Sequence, residues 1–136
     1  IHVNADLASF TMRTKGQGRI VLITDALKPT GQKTGPFYAN GTEVIMENGV
    51  WVSSENHGLL AGSALTMHKA FMNAISWGLP IEDATAASSS APAYIYGMKD
   101  KGSIEYGKIA DLLLLDEDLN IKCIFHKGEE YVVQRA

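Results

Sequence analysis

The run Ile20-Val21-Leu22-Ile23 constrains the fold more than any other segment. It has no polar alternation, and Gly16 and Gly18 before it and Pro29 and Gly31 after it mark its limits. A short apolar run closed by turn residues reads as a strand buried on both faces. Upstream, Ile1-His2-Val3 reads as the end of another strand. The residues from there to Lys15 carry Leu7, Phe10 and Met12 at loosely helical spacing, with Asn4 or Asp6 as the cap. Strand, helix, glycine turn and strand make a βαβ unit, whose sheet is parallel and whose chemistry lies at the strands' C-terminal ends. His2 and Asp25 both fall at such ends. Asp25 has two readings: a cap for the following turn, or a catalytic carboxylate at a strand exit.

From Thr34 to Ser54 the pattern changes. Asn40-Gly41 and Asn48-Gly49 separate three short runs rich in β-branched and aromatic residues. Asn-Gly pairs in that setting are hairpin turns, so a three-stranded antiparallel meander is expected over about 37–52. Gly58 to Ser63 reads as a loop of small residues, with Ser63 as cap for a helix from Ala64 to Trp77. Gly78 and Pro80 stop that helix. A second, Ala-rich helix is expected from Ile81 to Ser90, and a further helical turn from Pro92 to Gly97. The last third is extended, with Ala110–Asp116 as a buried strand, Asn120–Phe125 as another, and a Lys127-Gly128-Glu129 turn into Glu130–Val133.

Composition excludes several classes of function. Twelve basic against 15 acidic residues, a net charge of −3, leave no electrostatic footprint for nucleic acid. No apolar stretch reaches the length of a membrane-spanning helix. A lone cysteine, Cys123, rules out an internal disulfide, fits the cytoplasm, and reads as a small buried hydrophobe. The four histidines His2, His57, His68 and His126 show no close ligand spacing, so the residues alone give no metal site. His57 adjoins the glycine loop, whereas His68 and His126 read as packing or surface residues. Ser88, Ser89 and Ser90 have no histidine at a diagnostic spacing for a serine nucleophile.

Several segments taken together resemble the C-terminal portion of the N-acetylglucosamine-6-phosphate deacetylases, a family of the amidohydrolase superfamily. They are His2-Val3, Thr24-Asp25-Ala26 with the glycine-containing loop after it, Leu60-Ala61-Gly62-Ser63-Ala64-Leu65-Thr66-Met67, and Ala91-Pro92-Ala93 with Gly97. The closing stretch Gly102-Ser103-Ile104-Glu105-Tyr106-Gly107-Lys108-Ile109-Ala110-Asp111-Leu112 is common to amidohydrolases at large, whereas the Thr-Asp-Ala and Leu-Ala-Gly-Ser segments are more specific.

The resemblance implies an α/β chain that is the C-terminal fragment of a (β/α)8 TIM-type barrel with an antiparallel β insertion and part of a small β-sandwich. Residues 1–101 would be barrel and 102–136 sandwich, with Arg19–Thr24 as the eighth barrel strand and His2 ending the seventh. The implied reaction hydrolyses the acetamide of N-acetylglucosamine 6-phosphate to glucosamine 6-phosphate and acetate. Asp25 matches the catalytic aspartate, which moves a proton from the attacking water to the departing nitrogen. His2, Leu60, Ala61 and Gly62 match substrate-binding positions, and Ile1 adjoins them. A divalent metal, zinc or similar, is implied as cofactor. Its ligands in the family, a glutamate and two histidines, lie upstream of the position matching His2 and are absent here, leaving Asp25 as a minor ligand at most. The chain is therefore expected to be one piece of a longer, homodimeric cytoplasmic enzyme and to be inactive alone. Two other readings compete: another amidohydrolase, such as a cyclic amidase or deaminase, which would lack the Leu-Ala-Gly-Ser stretch, and a non-catalytic assembly or binding remnant.

Overall fold

Asn4 opens the first helix because its side chain accepts the Asp6 N–H at 2.7 Å, satisfying a donor that the first turn cannot. The helix, α1 (Ala5–Lys15), ends at Gly16, whose positive φ suits glycine. The structure is a computed structural model that describes residues 2–32, 35–39, 41–56 and 58–132. The chain divides into two compact units, residues 22–73 and residues 1–21 with 74–136.

Residues 22–73 contain an antiparallel sheet in the order β1 (Phe37–Ala39), β2 (Thr42–Glu47), β3 (Val50–Ser53), β4 (Leu60–Ser63). The β2–β3 turn forms as its Asn-Gly pair predicts, with Asn48 at φ 48° and Gly49 at φ 80°. Gly41 of the β1–β2 connection is at φ 80°, and Asn40 lies outside the described residues. The sheet has one strand more than expected, because Leu60–Ser63 is a strand and not a loop. Small side chains hide its strand character in the sequence, yet β3 supplies the ladder it needs. Trp51 and Val44 are fully buried, and the Phe37 ring meets Trp51 edge-on at 5.6 Å.

Helix α2 (Met67–Ser76) starts three residues later than expected. Thr66 caps it, its hydroxyl accepting from the Lys69 N–H at 3.2 Å. The Ser63 hydroxyl instead accepts from the Leu65 N–H at 2.7 Å, a local turn that holds the chain out of the helix. In the other unit the Arg13 guanidinium donates to the Gly78 carbonyl, putting a cation at a helix C-terminus. The helix expected over 81–90 is α3 (Ile81–Ser88), broken at Ser89 and followed by α4 (Ser90–Ile95). Its small face packs Ala84, Ala86, Ala87, Ala91 and Ala93 out of solvent. Among the described residues no helix is long and apolar enough to cross a membrane.

Gly102 closes this packing. It has φ 86°, and a Cβ there would lie 2.6 Å from the Ala93 Cβ and 3.0 Å from the Ser90 Cα. Neither neighbour is a flexible chain end. Gly102→Ala is therefore expected to cost about 1–3 kcal/mol, read as a lowered urea midpoint at unchanged slope.

The final sheet has the order β5 (Leu112–Leu115), β6 (Ile121–His126), β7 (Glu129–Val132). Two sequence expectations change on apolar runs. Leu113 and Leu114 of β5 are more than half exposed, so that strand is not buried. Residues 20–25 form no strand, and Ile23 is 72% exposed. Hydrophobicity predicts burial only where a neighbouring layer exists. Strand pairing likewise needs an adjacent backbone. The bridge to the sheet lies just past the apolar run, an isolated parallel one from Ala26 to Ser63. Cys123, by contrast, is buried as expected, and burial pushes its thiol up from the ordinary value.

Asp111 ties this sheet to the segment before it. Its carboxylate accepts from the Lys101 ammonium and from the Lys127 N–H at 2.9 Å, and lies 3.1 Å from His126 Nδ1. The Lys101 hydrogen bond, then that of Lys127, lowers its pKa from 3.8 to about 2. A depressed carboxylate stabilises the fold fully above its unfolded pKa and loses that contribution as pH falls through the folded one. The contribution of Asp111 is thus expected to disappear between about pH 4 and pH 2. Carbon-detected NMR should find the Lys101→Met variant titrating closer to the ordinary value.

Candidate active site

Asp25 occupies an unusual backbone conformation. Its φ is 50°, in the left-handed region that L-residues other than Asn, Asp and Gly seldom enter. Around it the Thr24 hydroxyl accepts the Ala26 N–H at 3.2 Å, folding the chain back on itself. Strained backbone of this kind persists only where the surroundings hold it. Here β4 does so. The Ser63 N–H donates to the Asp25 carbonyl at 2.9 Å, and the Leu27 N–H donates to the Ser63 carbonyl at 3.0 Å. The carboxylate itself belongs to an exposed residue.

Gly62 shows why β4 has a small-residue sequence. Its partner across the ladder is Trp51, and a Cβ on it would meet the Leu27 side chain at 2.6 Å. Leu27 packs in the space that glycine leaves open, which brings the residues after Asp25 onto the strand. The register then shifts: Trp51 faces Gly62 while Val52 faces Leu60, so Ala61 is an extra residue, a bulge. Bulges bend a strand and re-aim its groups, and they recur beside active sites.

The structure thus brings Asp25 against the strand that carries Leu60, Ala61 and Gly62, all half-buried. His2 is exposed, immediately before α1, and belongs to the other unit. Ile1 and His57 lie outside the described residues. His126 contacts Asp111, far along the chain from these positions. Among the described residues no three side chains of His, Cys, Asp or Glu gather as a metal would require. The donors present therefore do not fit a divalent metal site, for which at least three protein ligands are usual.

Sequence reasoning did not single out Leu27, Thr30 or Trp51. Thr30 donates its hydroxyl to the Ser63 carbonyl at 3.1 Å and accepts from Trp51 Nε1 at 3.3 Å. These contacts join residues more than 20 apart, and no local spacing announces them.

The family model for the amidohydrolase family matches residues 15–132, most of the chain. The chain belongs to the amidohydrolase family. Among its relatives is an N-acetylglucosamine-6-phosphate deacetylase of Vibrio furnissii, 37% identical over 112 residues, covering 81% of this chain and 28% of the relative. An N-acetylgalactosamine-6-phosphate deacetylase of Shewanella is 31% identical over 94% of this chain and 32% of its own length. A crystal structure of N-acetylglucosamine-6-phosphate deacetylase from Thermotoga maritima superposes with a TM-score of 0.87 at 31% identity, covering 98% of this chain and 37% of that one. The chain spans about a third of the length of these amidohydrolases. Its α/β composition with antiparallel sheets agrees with the family's architecture.

Proposed function

We propose that the chain is the C-terminal part of a hydrolase that deacetylates N-acetylglucosamine 6-phosphate, giving glucosamine 6-phosphate and acetate. One observation carries the reading: Asp25 is held in a left-handed conformation by hydrogen bonds to β4, the strand of the Leu-Ala-Gly-Ser segment. An amide is a poor electrophile with a poor leaving group, so its hydrolysis needs a proton taken from water and one given to nitrogen. Asp25 does both in turn. Leu60, Ala61 and Gly62 bind substrate beside it, their small side chains letting the ligand approach the backbone. The family resemblance gives His2 and Ile1 a substrate-binding role as well.

The relatives' names and the superposition support this assignment. Residues 1–101 would then belong to a (β/α)8 barrel and 102–136 to the small sandwich. The divalent metal of such an enzyme would be held by residues outside this chain, with Asp25 giving at most one oxygen. The remainder of the reading is a cytoplasmic homodimer in amino-sugar metabolism whose partner is a small amino-sugar phosphate, not nucleic acid or membrane. The 4-epimer, N-acetylgalactosamine 6-phosphate, is the second reading because several relatives are named for it. Assaying the full-length protein against both sugar phosphates and a dihydropyrimidine separates these readings. Acetate from the gluco substrate supports the proposal, whereas turnover of the cyclic amide alone overturns it.

A further inference from the structure

We propose that Thr30 is a positioning residue for Asp25, acting through the Ser63 carbonyl; the inference rests on the deacetylase reading above. The Thr30 hydroxyl stands between two buried or half-buried partners. Trp51 is fully buried, locked by its ladder pairing and by the edge-on Phe37 ring. Its indole N–H has no freedom to turn elsewhere, and it donates to Thr30 Oγ1 at 3.3 Å. An indole N–H only donates, so the hydroxyl that accepts from it is free to send its own proton onward. That proton goes to the Ser63 carbonyl at 3.1 Å.

The same carbonyl accepts the Leu27 N–H, and the N–H of Ser63 donates to the Asp25 carbonyl. Ser63 is therefore held by Thr30 from one side and holds the 25–27 segment on the other. The Thr30 N–H also donates to the Leu27 carbonyl at 2.9 Å, closing a turn that fixes the hydroxyl relative to that segment. The sequence Trp51, Thr30, Ser63, Asp25 runs from a fully buried side chain of the sheet to the carboxylate-bearing residue. The left-handed aspartate stands one residue before the bridge from Ala26 to Ser63, where this support acts. Thr30 touches neither the carboxylate nor, in this account, the substrate. Its effect is on where Asp25 stands.

The test uses the full-length protein with Thr30→Val, which keeps the shape and removes the hydroxyl, and Thr30→Ser, which restores it. Amide exchange of Leu27 and Ser63 is expected to rise roughly fivefold to tenfold in Thr30→Val, while amides of the β2–β3 ladder stay unchanged. In the same variant kcat is expected to fall about 10- to 100-fold with KM within about twofold, and Thr30→Ser to recover both readouts. Unchanged exchange at Leu27 and Ser63 overturns the support role. So does a loss of activity that appears mainly in KM, or one that Thr30→Ser fails to recover. Failure of the deacetylase reading is recognised separately, by the absence of acetate from the unsubstituted protein. Exchange of the two amides then still decides whether Thr30 holds the segment.

Discussion

Residues 1–136 purified alone, with zinc added, are expected to release no acetate from N-acetylglucosamine 6-phosphate. The reason is arithmetic as much as structural. Enzymes accelerate their reactions at least about a millionfold, while one positioned acid–base group contributes roughly 10²–10⁴. On the proposed reading the chain supplies one such group, Asp25, which leaves a shortfall of at least about 100-fold. Among the described residues no three metal-ligating side chains gather to hold the metal that would supply the rest. Exposure weakens Asp25 further, because water at the site competes for the proton and screens the charge. A coupled assay for acetate checks this directly. Measurable turnover that Asp25→Asn abolishes would show that the 136 residues form a complete site.

Much of the secondary structure was legible because it rests on local chemistry. Asn4 or Asp6 marks the start of α1, Gly16 and Gly18 its end, and Asn48-Gly49 the β2–β3 turn, each through a backbone demand that few residue types meet, and the structure selects Asn4 and Gly16. The failures share a different cause. The apolar runs Ile20–Ile23 and Ala110–Asp116 predict burial, yet burial depends on what packs against them. Leu60–Ser63 was read as loop because Gly and Ala have low strand propensity, although the ladder with β3 makes it a strand. At the site, Asp25 stood out as a carboxylate between an apolar run and its breakers. Its left-handed backbone and its attachment to Ser63 did not, since both depend on residues almost 40 positions away. Leu27 is a plain aliphatic residue in sequence, and only the open space at Gly62 explains its position.

Asp25→Asn in the full-length protein is expected to lower kcat about 10²–10⁴-fold, the usual contribution of a positioned proton-transfer group. Asparagine keeps the size and tolerates the left-handed backbone, so the turn onto β4 survives. It keeps hydrogen-bonding atoms as well, so KM should change far less than kcat. What it lacks is a basic oxygen able to take a proton from water and return it to nitrogen. A general fold defect would lower the amount of active protein and the thermal midpoint together, and this variant should move only the rate. Acetate release from N-acetylglucosamine 6-phosphate, followed for the full-length protein and its Asp25→Asn variant at equal folded concentration, tests the central claim most directly. The account expects steady release from the first and a loss of at least about 100-fold in the second. Equal rates from the two proteins would contradict it.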